Sequence, residues 1–260
     1  MSGITIASRS ETGARKTNED YLQHGVLESG WYAVLSDGAG GHSDGAIASD
    51  LVVRMVVHEL SVAFDRSLPA GAALQQVVHV ANDALNQQQR GQRGRHRMHA
   101  TLVVLWVDAA TRQAVWAHVG DSRLYLLRQG HVLSVTRDDS VVQTMVDAGL
   151  IAPGDARKHA QRNQLLAAMG SEEPIEPHVS EADFTLEDGD ALLLCSDGWY
   201  DPLEPHEIES TLAASAGAQD WLDRMHALVK ARAQPNQDNY SAIAMWVGNP
   251  AEITRIRPAG

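Results

Sequence analysis

Five short acidic motifs are spread along the chain, and three of them directly follow a run of apolar residues. The motifs are Asn18-Glu19-Asp20, Ser-Asp-Gly-Ala-Gly-Gly-His at 36–42, Gly-Asp-Ser-Arg at 120–123, Cys-Ser-Asp-Gly at 195–198 and Gln237-Asp238-Asn239. A buried strand that ends in an aspartate places a carboxylate at the edge of a sheet, and several such edges can converge. Burying unpaired charge is costly, so converging carboxylates favour a bound cation. Because Mg²⁺ and Mn²⁺ prefer oxygen ligands, the motifs predict a metal site built from aspartates.

Strand-like and helix-like patterns occur in blocks along the chain. They predict strands at 3–9, 31–36, 101–107, 113–119, 124–128, 132–135, 179–184, 190–196 and 239–247. They predict helices at 46–64, 69–89, 140–148, 204–214 and 218–233. Blocks of strands followed by pairs of helices are typical of an α+β sandwich, with antiparallel sheets inside and helices outside.

The length and composition suit a folded chain with a full core. A chain of 260 residues suits one large domain or two small ones, and 44% of its residues are hydrophobic. We expect one domain at 1–247 and a loose tail at 248–260. The segment 152–177 contains several Pro and Gly residues and little periodicity, which predicts a mobile flap. The basic stretch 90–97 has no apolar residue, which predicts an exposed loop.

The charge and the single cysteine exclude several classes of protein. The net charge is −12, from 33 acidic and 21 basic residues, which argues against a general nucleic-acid binder. The lone Cys195 excludes an internal disulfide and suits a reducing cytoplasm. No apolar run is long enough to span a membrane, and the first residues lack the pattern of a secretory signal. We therefore expect a cytoplasmic protein that does not contact a membrane.

The five motifs, in their order, resemble those of the metal-dependent protein phosphatases, the type-2C serine/threonine family, in its bacterial form. Residues 15–20 match the family's Arg-x-x-Asn-Glu-Asp, and 119–123 match Val-Gly-Asp-Ser-Arg. Residues 37–42 match Asp-Gly-Met-Gly-Gly-His with Ala39 in place of Met. Residues 195–199 match Cys-Ser-Asp-Gly-Leu with Trp199 in place of Leu, and 238–241 match Asp-Asn-x-Ser/Thr. The resemblance covers about residues 4–247, and it implies two central antiparallel sheets flanked by helix pairs, with a metal cleft at one end.

The resemblance also implies a set of metal ligands. Asp37 would bridge two metal ions and hold the nucleophilic water, and the carbonyl of Gly38 would bind one of the ions. Asp197 and Asp238 would complete the other metal. Asp121 would hold a third, weaker ion together with Asp197. Taken singly, an Asp-Gly pair is more often a turn than a ligand, so the prediction depends on all the motifs occurring together.

Three further residues receive roles by resemblance. Asp20 and Glu19 would act on the metals through water molecules. Arg15 would bind the substrate phosphate with its guanidinium fork. Cys195 has no such role, because it does not begin the Cys-x5-Arg loop of the cysteine phosphatases: position 201 is Asp.

The implied activity is hydrolysis of phosphoserine and phosphothreonine in proteins by a metal-bridging water or hydroxide. The cofactors would be two Mn²⁺ or Mg²⁺ ions with room for a third, and the partners a serine/threonine kinase and its substrates. We expect a monomer. The first alternative is a catalytically silent binding module of the same fold, which the intact ligand set disfavours. The second is a nucleotide-using enzyme, which lacks support because no Gly-x4-Gly-Lys-Ser/Thr sequence occurs.

The chain departs from the family pattern in places that affect the proton donor and the flap. Some relatives place a His two residues after the first metal aspartate, where it can protonate the leaving alkoxide. Here that position is Ala39, so the general acid is unassigned and a metal-bound water is expected to serve. His99-Ala100-Thr101 replaces the usual Gly-Thr-Thr. Asp139 replaces the usual His in 136–140, which predicts a different anchoring of the flap.

Overall fold

The computed structural model describes residues 3–39, 44–63, 70–94, 97–180 and 184–248. Its strands are β1 (Ile4–Glu11), β2 (Asp20–Leu27), β3 (Gly30–Ala39), β4 (His99–Ala100), β5 (Leu102–Asp108), β6 (Gln113–Val119), β7 (Arg123–Arg128), β8 (His131–Val135), β9 (His178–Val179), β10 (Phe184–Thr185), β11 (Ala191–Cys195) and β12 (Tyr240–Val247). Its helices are α1 (Asp44–Ala63), α2 (Ala70–Gln88), α3 (Val141–Asp147), α4 (Pro153–Ala156), α5 (Asp197–Tyr200), α6 (Pro205–Ala214) and α7 (Ala218–Ala231).

The strands form two antiparallel sheets that pack face to face. One sheet has five strands in the order β1-β12-β11-β7-β8. The other has seven strands, with the path β10-β6-β5-β3-β2 and with β4 and β9 paired to β3 and β6. The helices α1 and α2 cover the seven-stranded sheet, and α6 and α7 cover the five-stranded sheet. This layering confirms the predicted α+β fold with a central antiparallel sandwich.

Side chains of β5 show how one strand serves two cores. Successive side chains of a strand point to opposite faces. Val103 and Leu105 pack in the core between the two sheets, whereas Val104 and Trp106 pack against the helices α1 and α2. A strand that is buried on both faces reads as a continuous apolar run. This is why the apolar runs before the acidic motifs predicted the central strands correctly.

The helices pack by one face only. In α2 the buried residues include Leu74, Val77, Val78, Ala81 and Leu85, which recur at helical spacing. The opposite face carries exposed Gln side chains, including Gln75, Gln76 and Gln87. Within the described ranges, no helix combines the length and apolar character that crossing a bilayer requires.

The strand β2 was not predicted from the sequence. It mixes polar and apolar residues and contains a glycine, so its local preference for a strand is weak. It forms because it pairs with β3 along its whole length, from Asp20 opposite Asp37 to Leu27 opposite Gly30. The two strands form a hairpin, and their pairing places two aspartates side by side at one end of the sheet.

Smaller differences from the predicted pattern involve short elements. The predicted strand 179–184 corresponds to the two-residue strands β9 and β10, and residues 181–183 lie outside the described part of the chain. The short elements β4, α4 and α5 were also not predicted. Residues 95–96 of the basic stretch and 249–260 of the predicted tail lie outside the described residues. The domain boundary at 247 and the loose tail stay predictions.

Hydrogen bonds attach the segment 152–177 near both of its ends. Near its start, Arg157 Nη1 donates to a backbone carbonyl just before α6 at 2.6 Å. Near its end, the Gly170 carbonyl accepts hydrogen bonds from Gln89 Nε2 at 2.8 Å and from Arg97 Nη2 at 2.7 Å. Arg97 of the basic stretch therefore holds the segment in place. Between these two points, the Leu166 N–H donates to the Asp139 carbonyl at 2.8 Å and the Gln164 carbonyl accepts from the Val141 N–H at 2.9 Å. The predicted mobility of the flap stays a prediction.

The core between the sheets gives a direct test of the fold. Leu194 of β11 is fully buried there, whereas Leu133 of β8 is 55% exposed. We expect Leu194→Ala to lower the free energy of unfolding by about 2–5 kcal/mol, because it removes buried methyl groups and leaves a cavity. The matched change Leu133→Ala should stay within about 0.5 kcal/mol of the parent protein. Urea unfolding followed by fluorescence measures both, and equal effects of the two changes would contradict the layering.

Candidate metal centre

The predicted site residues meet at one end of the sandwich, where elements from both sheets come together. Asp37 lies near the end of β3 in the seven-stranded sheet, and Asp197 begins α5 directly after β11 of the five-stranded sheet. Asp238 precedes β12, and Asp121 lies in the connection from one sheet to the other. They border a cleft of about 610 Å³, which we call the acidic cleft. It is lined by seven of the eight predicted site residues: Arg15, Glu19, Asp37, Gly38, Asp121, Asp197 and Asp238.

The eighth predicted residue, Asp20, lies behind the cleft and joins the two sheets. It pairs with Asp37 across the β2–β3 ladder. Its Oδ2 accepts a hydrogen bond from Ser196 Oγ at 2.8 Å, and Ser196 Oγ in turn accepts one from the Ser241 N–H at 3.0 Å. Its Oδ1 is buried without a hydrogen-bond partner. Burial raises the pKa of Asp20 to about 6, although the serine hydrogen bonds oppose the rise.

Burial and mutual repulsion destabilise the negative charge of the carboxylates around the cleft. Burial raises the pKa of Asp37 well above its ordinary value, and Asp20 and Asp197 raise it further. Burial, with Asp121 as the next cause, does the same to the pKa of Asp197. Burial followed by the charge of Asp138 raises the pKa of Asp121 to about 7. Each carboxylate therefore makes ionisation of the others less favourable.

An ion pair and an aromatic ring fix the surroundings of Asp121. Arg123 donates to both oxygens of Asp138, at 2.8 Å from Nε and at 2.7 Å from Nη2. The same guanidinium lies 3.8 Å from the centre of the Tyr200 ring. Tyr200 closes α5, the helix that begins at Asp197, and its hydroxyl donates to the Asp121 carbonyl at 3.1 Å. Two of the predicted ligands are thus held relative to each other by one tyrosine.

Gly38 occupies a position that no other residue fits. A Cβ atom on Gly38 would collide with the carbonyl of Gly45 at the start of α1. The Gly38 N–H donates to the Glu19 carbonyl at 3.1 Å, and the same carbonyl accepts from Ser49 Oγ at 2.5 Å. The strand β3 therefore approaches α1 closely, and it does so beside Asp37. The Glu19 side chain lines the cleft here, and burial raises its pKa.

Arg15 reaches the cleft but points at an aspartate. Its Nη2 donates to Asp238 Oδ2 at 2.7 Å, and its side chain is 56% exposed. The other oxygen of Asp238 accepts the Asn239 N–H at 2.8 Å. The structure thus brings together the predicted phosphate-binding residue and a predicted metal ligand. The role of each stays a prediction.

Asn239 is a supporting residue that the sequence interpretation did not assign. It is buried, and its Oδ1 accepts the Glu19 N–H at 2.8 Å. Its Nδ2 donates to the carbonyls of Thr12 at 2.8 Å and Thr17 at 3.0 Å. One amide therefore fastens the loop that carries Arg15 to the start of β12. The only signal in the sequence was its position beside Asp238, which does not show what its side chain contacts.

The donors of the cleft suit a hard divalent cation. Among the described residues, no three Asp, Glu, His or Cys side chains form a ready-made cage for a metal ion. Mg²⁺ does not need one, because it keeps several water ligands and binds proteins through one or two carboxylates. The cleft supplies carboxylate oxygen donors, and Asp197 Oδ1 is buried without a hydrogen-bond partner. Bound cations would relieve the repulsion between these carboxylates, so the residues fit the predicted metals.

The single cysteine lies close to the site but cannot serve as its nucleophile. Cys195 ends β11 two residues before Asp197 and is completely buried. Burial raises the pKa of its thiol far above the ordinary value. Because the thiolate is the reactive form of cysteine, this side chain is inert. The structure agrees with the sequence in excluding cysteine-phosphatase chemistry at this position.

One imidazole lines the acidic cleft and was not assigned a role from the sequence. His99 lies in β4, which pairs with the end of β3. Its side chain is half-buried. Burial lowers its pKa and Arg97 lowers it further, whereas hydrogen bonding to the Met169 backbone and the charge of Glu172 raise it.

Comparison with known proteins gives the same result as the motifs and the fold. Residues 7–242 match the family model described as protein phosphatase 2C, and this range includes all five acidic motifs. The serine/threonine protein phosphatase PstP of Mycobacterium tuberculosis is 36% identical over 213 residues, which are 80% of this chain and 39% of PstP. The protein phosphatase PhpP of Streptococcus pneumoniae is 32% identical over 231 residues, which are 85% of this chain and 89% of PhpP.

A solved structure shows the same architecture. The crystal structure of the PstP catalytic domain in complex with two manganese ions superposes with a TM-score of 0.77 at 30% identity, over 95% of this chain and 99% of that chain. This chain spans 39% of the length of PstP, and it therefore matches a part of that protein. Because the family model covers most of the chain and the fold recurs at this level of identity, the chain belongs to the protein phosphatase 2C family.

Proposed function

We propose that this protein is a metal-dependent serine/threonine protein phosphatase. The observation that carries the proposal is the group of buried, uncompensated carboxylates of Asp37, Asp121 and Asp197 that opens into the acidic cleft. Such a group attracts divalent cations, and paired cations are a common means of hydrolysing phosphate esters. The names of PstP and PhpP, and the two manganese ions in the PstP structure, support the same activity.

The proposed metal ligands come from both sheets. In this proposal Asp37 and the Gly38 carbonyl hold cations from the seven-stranded sheet, and Asp197 and Asp238 hold them from the five-stranded sheet. Mn²⁺ and Mg²⁺ both suit these oxygen donors. When bound, a pair of such ions supplies positive charge to the phosphoryl oxygens and lowers the pKa of the attacking water. Asp121 adds a weaker third site.

Other residues orient the ligands and the substrate. Asp20 lies beside Asp37 and is held by Ser196, so it can position water molecules around the metal ligands. Glu19 lines the cleft and can do the same. Arg15 presents a planar guanidinium at the mouth of the cleft, where it can bind two phosphate oxygens at once. To do so, it would leave Asp238, whose carboxylate then becomes free for a cation.

The shape of the cleft favours phosphoserine and phosphothreonine. Its described lining near the ligands includes Ala39, Ala100 and Thr101, and no aromatic ring of Phe, Tyr or Trp lines the cleft in the described part of the chain. A phosphotyrosine holds its phosphate far from the peptide backbone and gains most from a deep slot. We propose phosphorylated proteins as substrates, with a serine/threonine kinase as partner. A reducing cytoplasm suits the lone buried Cys195, and we propose a monomer there.

The first experiment tests the activity and the metal core together. We expect Mn²⁺-dependent turnover of phosphothreonine and phosphoserine peptides, with lower kcat/KM on matched phosphotyrosine peptides and no turnover after chelation. Asp37→Asn should reduce kcat to the background while the circular dichroism spectrum is retained, because the bridging charge is lost. Glu209→Gln, on the exterior helix α6, is the control. Near parental turnover of Asp37→Asn at the same Mn²⁺ concentration would refute the metal assignment.

The buried carboxylates also predict how stability depends on pH when metal is absent. A carboxyl group whose pKa rises on folding binds more protons in the folded state than in the unfolded state, so stability falls as the pH rises through that range. For Asp20 and Asp121 the range extends from about 4, the ordinary aspartate value, to about 6 and about 7. The effect is absent below this range and complete above it.

Thermal melts of the chelated protein test this dependence. We expect the Tm to fall between about pH 4.5 and about pH 7, and added Mn²⁺ to reverse the fall. The variant Asp121→Asn removes one titrating group, so its Tm should fall less over the same range. A Tm that falls equally in the variant and the parent would show that Asp121 does not contribute.

The third experiment separates phosphate binding from catalysis at Arg15. We expect Arg15→Ala to raise KM for a phosphopeptide more than it lowers kcat, because the guanidinium binds substrate before the chemical step. Arg15→Lys keeps the charge without the fork and should lie between the two. Steady-state kinetics at saturating Mn²⁺ gives both constants. An unchanged KM in Arg15→Ala would mean that the side chain only pairs with Asp238.

A further inference from the structure

We propose that His99 is the general acid that protonates the leaving oxygen of the substrate. The inference rests on the proposed function and adds a residue to it. Hydrolysis of a phosphothreonine breaks the bond between phosphorus and the threonine oxygen, while water supplies the new oxygen on phosphorus. The departing alkoxide needs one proton, and the attacking water releases one. In this proposal the imidazolium of His99 gives its proton to the threonine oxygen and later regains one from solvent, so the reaction yields an alcohol and inorganic phosphate.

The strand register places His99 on the same face as the central ligand. Ala39 of β3 lies directly opposite His99 of β4, and directly opposed residues project their side chains to one side of a sheet. Asp37 lies two residues before Ala39 on the same strand, so its side chain also projects to that side. Asp37 and His99 are thus diagonal neighbours, with Cα atoms about 7–8 Å apart. A phosphate group bound near Asp37 lies within reach of a side chain of this length.

The space between Asp37 and His99 is open. The side chain of Ala39 is a single methyl group, and Asp37, Ala39 and His99 all line the acidic cleft. Backbone hydrogen bonds also hold the strand that carries His99. Its neighbour Ala100 exchanges two backbone hydrogen bonds with Met169, at 3.2 Å and 2.8 Å. These bonds fix the backbone of β4, and the pairing of His99 with Ala39 sets the side of the sheet to which the ring projects.

The other cations of the cleft are poor proton donors. A guanidinium does not release its proton in proteins, which excludes Arg15. Lys16 lines the cleft, but no hydrogen bond among the described residues fixes its ammonium group on its flexible stem. His99 is the only imidazole among the described residues of the lining. Burial and then Arg97 disfavour its protonated form, whereas Glu172 and a doubly charged phosphate bound in the cleft favour it.

The test compares substrates with different leaving groups. An alcohol is a poor leaving group and needs the proton, whereas nitrophenol leaves readily as its anion. We expect His99→Gln to lower kcat on a phosphothreonine peptide by about 100-fold or more. The loss on para-nitrophenyl phosphate should be smaller by at least about 10-fold. Calorimetric titration with Mn²⁺ should give the same stoichiometry and affinity for the variant and the parent.

The control and the outcomes separate this inference from the proposed function. The control is His131→Gln, because His131 is exposed on the edge strand β8 and pairs with Glu209 of α6. The ratio of the two activities in this variant should equal that of the parent. Equal losses on both substrates, a change in KM alone, or loss of bound Mn²⁺ in His99→Gln would each overturn the role of His99. The metal-dependent activity of the parent would then still stand. Failure of the parent protein to hydrolyse either substrate would overturn both.

Discussion

Repulsion among buried carboxylates is the constraint around which this structure is arranged. Burial is the largest cause of the raised pKa of four aspartates, Asp20, Asp37, Asp121 and Asp197. The charges of the other three raise the pKa of Asp37 further. Such a group is unfavourable for folding unless cations or protons neutralise it. The apolar cores on both sides of the two sheets supply the stability that holds the group together.

The site depends on the packing of one sheet against the other. Asp20 and Asp37 come from the seven-stranded sheet, and Asp197 follows a strand of the five-stranded sheet. A hydrogen bond from Ser196 to Asp20 and three from or to Asn239 join the two halves at the cleft. Because these contacts are short and lie largely out of solvent, the ligands keep their positions even where their charges repel. A hydrogen-bonded support of this kind is what a preorganised site requires.

In our proposals, the carboxylates, Arg15 and His99 each have a different role in hydrolysis of the phosphate ester. The carboxylates at the ends of the two sheets organise positive charge around the phosphoryl group, and Arg15 binds it from the mouth of the cleft. His99 faces the same space from β4 and provides for the leaving oxygen. The segment 152–177, attached through Arg157 and Gly170, lines the cleft with Asn163 and Leu165. Substrate selectivity beyond the phosphate would then depend on this segment.

The sequence alone determined the layered fold, the central strands and the identity of the acidic site. A strand that is buried on both faces is a continuous apolar run in the sequence, so the run predicts the strand. An aspartate at the end of such a run predicts a carboxylate at the edge of the sheet. Tertiary structure decided the rest. The strand β2 forms through pairing with β3, the amide of Asn239 acts on residues more than two hundred positions away, and His99 gains its place through its register with Ala39. The contacts of Asn239 and His99 join residues distant in sequence, so no local pattern of hydrophobicity or spacing records them. The strand β2 is one arm of a hairpin with β3, and its mixed polar and apolar residues leave only a weak local signal.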